Sequence, residues 1–201
     1  ILDCPEEELE FDGKAVSGEK GRVPLADIAT SSMCGNNIPM EVSESNSSPT
    51  SPPPFMVGMV EIELDKETGA VELLDYVAVV DCGTPVNPNL ARVQTEGGLG
   101  QGIGMALYED IQYNAKGKLW NNSFMQYKIP SRLDVGKLRV EFESSYEKSG
   151  PFGAKSIGEI VINTPSPAIA HAVHNASGVW VRELPITPEK IWKGMQEKNE
   201  D

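Results

Sequence analysis

Residues 151–159 read P-F-G-A-K-S-I-G-E and run directly into the apolar stretch I-V-I. One carboxylate, Glu159, therefore sits just after a glycine-broken turn and beside aliphatic neighbours. Burying an anion in such a setting is costly. Poor hydration also strengthens a carboxylate as a proton acceptor, the property a general base needs. The sequence thus predicts a poorly hydrated Glu159 with base chemistry. The bland reading is a first-turn acid favoured by a helix dipole.

A second unusual segment lies upstream. Residues 94–107 read Q-T-E-G-G-L-G-Q-G-I-G-M-A-L, with Gly97, Gly98, Gly100, Gly102 and Gly104 inside eight residues. In a helix each glycine costs about 1 kcal/mol against alanine, so something must offset the sum. Close approach of another backbone, or of a large ligand, is the usual reason. Neither G-x-G-x-x-G nor G-x-x-x-x-G-K-[ST] is present, and Gly153-Ala154-Lys155-Ser156 only echoes the end of a phosphate loop. Gln94 and Gln101 are two turns apart and share a helix face. Side-chain amides both donate and accept, which suits a heterocycle with alternating donors and acceptors. Two exposed surface glutamines are the other reading.

The remaining reactive residues are sparse. His171 and His174 are the only histidines. They have i,i+3 helical spacing but no third ligand nearby, so they read as ordinary packing or surface residues and no metal site is expected. Cys4, Cys34 and Cys82 lack C-x-x-C spacing and read as small buried apolar residues in a reducing, cytoplasmic compartment. The net charge of −13, from 30 acidic and 17 basic residues over 201, disfavours nucleic acid and anionic membranes as partners. No apolar run reaches membrane-span length, and no signal peptide or initiator Met opens the chain, which reads as a piece of a longer polypeptide.

Several elements must position these residues. A D-G turn at Asp12-Gly13 predicts a short hairpin over residues 8–16, and Pro24 opens a helix to Ser32. Residues 42–54, V-S-E-S-N-S-S-P-T-S-P-P-P, form a loop whose length alone favours a linker. Val60, Ile62 and Leu64 alternate with acids as a half-buried strand, paired through a turn at 66–69 with a strand over 71–81. Asn89 is positioned to cap a helix beginning near Leu90. Residues 111–113 and 118–120 predict a second hairpin around N-A-K-G, and 138–144 another strand. Helices follow from Ser166-Pro167, with Gly178 as terminator, and from Thr187-Pro188-Glu189; residues 180–183 link them as extended chain. The expected class is α+β, with mixed or antiparallel sheets and helices packed on them. The expected organisation is an N-terminal segment, 1–56, and a second domain, 57–201.

Six segments together resemble one family. They are S-P-P-P-F (51–55), V-D-C-G-T-P-V-N-P (80–88), Q-x-E-G-G-x-x-Q-G-I-G (94–104), Y-K-I-P (127–130), P-F-G-A-K-S-I-G-E (151–159) and E-L-P-I-T-P-E-K-I (183–191). In this order they resemble the C-terminal part of the molybdopterin-binding subunit of the xanthine dehydrogenase/aldehyde oxidase family of molybdenum hydroxylases. The resemblance implies that Glu159 is the catalytic base. It would take a proton from a hydroxyl held on molybdenum, the oxygen would attack an electrophilic substrate carbon, and hydride would pass to a sulfido ligand. It implies that Gln94 contacts the pyranopterin and that Gly97, Gly98 and Gln101 admit or touch the cofactor. Lys155 and Gly158 would shape the turn that presents Glu159, and the proline-rich loop would be packed extended chain.

The implied substrate is a purine, a related N-heterocycle or an aldehyde, with water as oxygen source and a lean toward bacterial xanthine-type enzymes. The implied cofactor is molybdopterin as its cytosine dinucleotide. The N-terminal part of the subunit and partner modules carrying [2Fe-2S] and FAD would be needed for turnover. A non-catalytic structural or assembly module with the same fold is the competing expectation.

Overall fold

A computed structural model describes residues 1–35, 40–45 and 47–200. The chain divides into two compact units, Ile1–Ser47 and Ser48–Asp201. In the first, β1 (Glu10–Phe11), β2 (Ala15–Gly18) and β3 (Gly21–Pro24) form an antiparallel meander. The D-G turn is held by the Asp12 side chain, whose Oδ1 accepts from the amides of Lys14 and Ala15 at 2.8 and 2.7 Å. β3 is an addition to the expected hairpin. Its glycine and proline ends carry little strand signal in the sequence. Helix α1 (Leu25–Cys34) follows directly from Pro24.

The second unit carries the chemistry. β4 (Phe55–Leu64) and β5 (Val71–Asp81) pair antiparallel, with an irregularity between Glu61 and Ile62. Asp65 closes the turn by accepting from the amides of Glu67 and Thr68. β6 (Lys137–Phe142) joins the far side of β5 in parallel, giving the order β4-β5-β6. A parallel partner needs a crossover, and α2 (Pro88–Leu107) lies in that connection. Helices α3 (Pro165–Ser177) and α4 (Pro188–Glu200) follow. The sheet is mixed, as its class predicts.

One sheet face packs on the helices. Tyr76 and Ala78 of β5 join Leu99, Ile103 and Ala106 of α2, Ile169 and Val173 of α3, and Ile191 of α4 in one buried cluster. Met56, Val60 and Ile62 of β4 and Val140 of β6 close around it. The α3 stripe is as expected at Ile169 and Val173, and Gly178 ends that helix at φ 73°. On the opposite sheet face Phe55, Val57 and Met59 are exposed. β4 also leaves one long edge unpaired within this sheet.

Several expectations change. The α2 cap is Asn87, not Asn89: its Oδ1 accepts from the Leu90 amide at 3.1 Å, and Pro88 takes the first helical position. Residues 111–120 contain one bridge, Tyr113 to Leu119, rather than two strands. Asn114 caps the turn, while Asn121 intercepts the Gln112 amide, so a ladder does not extend. Residues 180–183 are irregular. In the proline-rich loop, Asn46 lies outside the described residues. Ser48 Oγ donates to the Thr50 carbonyl at 2.6 Å, and Pro52 and Pro54 are half-buried. Cys82 is buried as expected, but Cys4 is half-buried and Cys34 exposed. Helix α1 buries none of its side chains, so Cys34 at its end has no core to enter. No helix among the described residues is long and apolar enough to cross a membrane.

The cap assignment is tested by two substitutions. Asn87→Ala should lower stability by about 1 kcal/mol, read as a shifted urea midpoint with unchanged slope. Asn89→Ala should leave the midpoint within experimental error.

Candidate functional site

The candidate base is presented by a short turn laid against α2. Glu159 immediately precedes a 3₁₀ turn at Ile160–Ile162, and the Glu159 carbonyl accepts from the Ile162 amide at 3.3 Å. Val161 in that turn is only 1 % exposed. A Cβ added at Gly98 would stand 2.1 Å from Val161 Cγ2, so the missing side chain is what lets the turn seat. Gly102 plays the same part for α3, where an added Cβ would meet Pro165 Cγ at 2.6 Å. Gly104 does so for the Glu109 carboxylate and Pro130. Close packing thus accounts for three of the five α2 glycines.

The other two have no such explanation. A Cβ at Gly97 or Gly100 would meet nothing within 4 Å, and the same holds at Gly158. Gly97 and Gly158 line a cleft of about 510 Å³ together with Val93, Gln94, Gly98, Gln101, Glu159, Val161 and Ile162. Gln94, Gly97, Gly98 and Gln101 follow i, i+3, i+4, i+7 spacing and so form one face of α2. The expected residues Glu159, Gln94, Gly97, Gly98, Gln101 and Gly158 are therefore brought together. The Gln94 Nε2 donates to the Gly158 carbonyl at 3.5 Å, a long bond that a ligand can replace. Glu159 itself is exposed in this chain, which corrects the expectation of a poorly hydrated side chain. Its aliphatic neighbour Val161 turns into the core behind it, leaving the carboxylate on the open side.

Lys155 lies apart from this cleft. Its side chain is 7 % exposed, and Nζ donates to Asp81 Oδ2 at 2.5 Å and stands 5.3 Å from the Phe55 ring centre. It borders a neighbouring cleft of about 520 Å³ with Cys82, Asn87, Leu90 and Gln94. Asp81 also accepts from Ser145 Oγ at 2.5 Å and from the Gly83 amide at 3.0 Å. The Lys155 ammonium, then the Ser145 hydroxyl, hold the Asp81 carboxyl down to a pKa of about 2. Sequence reasoning missed Asp81, Ser145 and Val161. Asp81 stands in the V-D-C-G segment, but nothing in the spacing links it to a lysine 74 residues away.

The two histidines are occupied elsewhere. His174 stacks on Trp180 with ring centres 4.1 Å apart, and His171 meets the same ring edge-on at 4.9 Å. Among the described residues no group of three or more His, Cys, Asp or Glu is placed to hold a metal ion.

Comparisons with known proteins identify the family. The profile of the molybdopterin cofactor-binding domain matches residues 1–136. The chain is 38% identical over 183 residues to a probable hypoxanthine oxidase of Escherichia coli K12, covering 90% of this chain and 19% of that protein. That span necessarily includes both Gln94 and Glu159. It is 36% identical over 145 residues to a xanthine dehydrogenase molybdenum-binding subunit of Escherichia coli O157:H7, covering 72% and 19%. Among solved structures, quinoline 2-oxidoreductase from Pseudomonas putida 86 superposes with a TM-score of 0.76 at 26% identity, covering 98% of this chain and 27% of that one. The chain spans about a fifth of the length of these curated relatives. The chain belongs to the molybdopterin cofactor-binding domain family, in the xanthine dehydrogenase/aldehyde oxidase group.

Two outcomes test the site geometry. Gly98→Ala should destabilise by about 1–3 kcal/mol through overpacking against Val161, whereas Gly97→Ala should stabilise by up to about 1 kcal/mol through helix propensity; thermal melts separate them. For Asp81 the folded pKa lies below the unfolded value of 3.8, so its contribution is present above pH ~4 and lost as pH falls through about 2. Asp81→Asn should cost on the order of 2 kcal/mol at pH 7, and the gap to the parent should close between pH ~4 and ~2 in urea titrations.

Proposed function

We propose that the chain is the C-terminal part of the molybdenum-binding subunit of a molybdenum hydroxylase, and that Glu159 is its general base toward a purine or related N-heterocycle, with water as oxygen source. The single observation that carries this reading is the cleft that Glu159 shares with two side-chain amides and the bare backbone of Gly97 and Gly158. When bound, the molybdenum cofactor supplies oxygen-transfer and two-electron redox chemistry that no side chain here provides. The residues fit a flat, hydrogen-bonding group. Gly97 and Gly158 leave space that a Cβ would fill, and Gln94 and Gln101 offer both donors and acceptors beside it.

Each residue then has a stated task. Gln94 exchanges its long bond to the Gly158 carbonyl for one to the pterin. Gln101, one helical repeat further along the same face, orients the polar edge of cofactor or substrate. Glu159 accepts the proton of the attacking oxygen at a carboxylate oxygen. Its exposure requires a cover, because a hydrated carboxylate is a weak base. An apolar rim supports the presence of one: Val86, Leu90 and Val93 are all exposed along these two clefts. We take the cover to be the N-terminal part of the same subunit, in keeping with relatives about five times as long. The cytosine dinucleotide form, iron–sulfur and flavin centres on partner modules, and a cytoplasmic setting belong to the same reading.

The substrate class is supported by two of the similar proteins, a probable hypoxanthine oxidase and a quinoline 2-oxidoreductase. An aldehyde is the alternative substrate. A non-catalytic assembly module is the second reading, favoured by the exposure of Glu159. In the holoenzyme, Glu159→Gln should lower turnover of purine, quinoline-type or aldehyde substrates by about 10²–10⁴-fold with molybdenum content unchanged. Parent-like turnover by that variant would remove the catalytic assignment and leave the assembly module.

A further inference from the structure

We propose that Asp81 is a positioning residue for Glu159: through Lys155 it fixes one end of the short segment that carries the base, while Val161 fixes the other end in the notch at Gly98. The proposal rests on the reading of Glu159 as the base. Asp81 ends the central strand of the sheet, where it is paired with Phe55 of β4. Its carboxylate accepts from three donors, Lys155 Nζ at 2.5 Å, Ser145 Oγ at 2.5 Å and the Gly83 amide at 3.0 Å.

The turn before Lys155 is laced to the same place. The Lys155 amide donates to the Cys82 carbonyl at 2.7 Å, and the Thr84 amide donates to the Gly153 carbonyl at 2.8 Å. Gly83 and Ala154 form an antiparallel bridge. Gly83 is at φ 67°, and a Cβ there would lie 2.3 Å from the Gly153 oxygen, so the two strands of chain touch backbone to backbone.

On the far side of Glu159, Val161 is buried in the space left at Gly98. Only Ser156, Ile157 and Gly158 separate Lys155 from Glu159, and one residue separates Glu159 from Val161. A tether this short transmits a shift of either anchor to the base. Neither Asp81 nor Lys155 lines the Glu159 cleft. Their action on the base is therefore through the chain that joins Lys155 to Glu159. A misplacement of about 1 Å in a catalytic group can cost about 100-fold in rate.

The test uses Asp81→Asn, Lys155→Met, the double variant and the milder Ser145→Ala in the holoenzyme. Three quantities are read: kcat and KM, molybdenum content, and amide hydrogen exchange across residues 156–160. Asp81→Asn and Lys155→Met should each lower kcat by about 10- to 100-fold, with KM within about threefold, metal content unchanged and faster exchange across 156–160. The double variant should lose no more than either single one, because the two groups act as a unit. Ser145→Ala, which keeps the ion pair, should move the same quantities less and serves if Asp81→Asn does not fold. Parent-like kcat and unchanged exchange in these variants, alongside an inactive Glu159→Gln, would overturn the positioning role alone. So would loss of molybdenum in step with turnover. A fully active Glu159→Gln would instead sink the assignment of the base, whatever the exchange data show.

Discussion

The constraint on which the site depends is the closeness with which the Ile160–Ile162 turn and α3 approach α2. That closeness is set by side chains that are missing. Gly98 and Gly102 leave notches that receive Val161 and Pro165, and neither notch would survive a methyl group without something shifting. A 20-residue helix with five glycines is intrinsically poor, at about 1 kcal/mol each. The burial of Leu99, Ile103, Val161 and Ile169 that the close approach allows offsets this. Once α2 is seated, the notch at Gly98 holds Val161, two residues beyond Glu159, and so anchors one end of the segment that carries it.

Much of this was legible in the sequence, and the reasons differ by element. The β4–β5 pair announces itself by alternation and by a turn that Asp65 caps locally, so short-range signals suffice. The clustering of Gln94, Gly97, Gly98 and Gln101 follows from helical periodicity alone. What was not legible depends on residues far apart in the chain. That β6 runs parallel to β5 is decided by where the α2 crossover returns the chain, not by the alternation of Leu138, Val140 and Phe142. The Asp81–Lys155 pair joins two segments whose local patterns say nothing of each other. The cap moved from Asn89 to Asn87 because Pro88 fits the first helical turn, a position where its missing amide costs nothing. Glu159 is hydrated because Val161 turns into the core while the carboxylate is left exposed at the cleft, an orientation that the local apolar run does not reveal.

The five glycines also show why composition alone leaves function open. Packing explains Gly98, Gly102 and Gly104, and it does not explain Gly97. The two explanations overlap along the segment: Gly98, Gly102 and Gly104 are tied to this chain's own packing, Gly97 and again Gly98 border the cleft, and Gly100 is in neither set. The clamp at Asp81 belongs with the first set by its chemistry and serves the second by its location.

The uncovered sheet face has a consequence of its own. Phe55, Val57 and Met59 stand on the strand whose outer edge has no strand neighbour among the described residues, so a greasy surface and an unpaired strand edge coincide. Two copies of this chain could meet there edge to edge. At neutral pH a net charge of −13 opposes that approach by mutual repulsion. Acid or salt weakens that repulsion while the apolar strip stays as it is, so self-association at this face rises as charge is neutralised or screened.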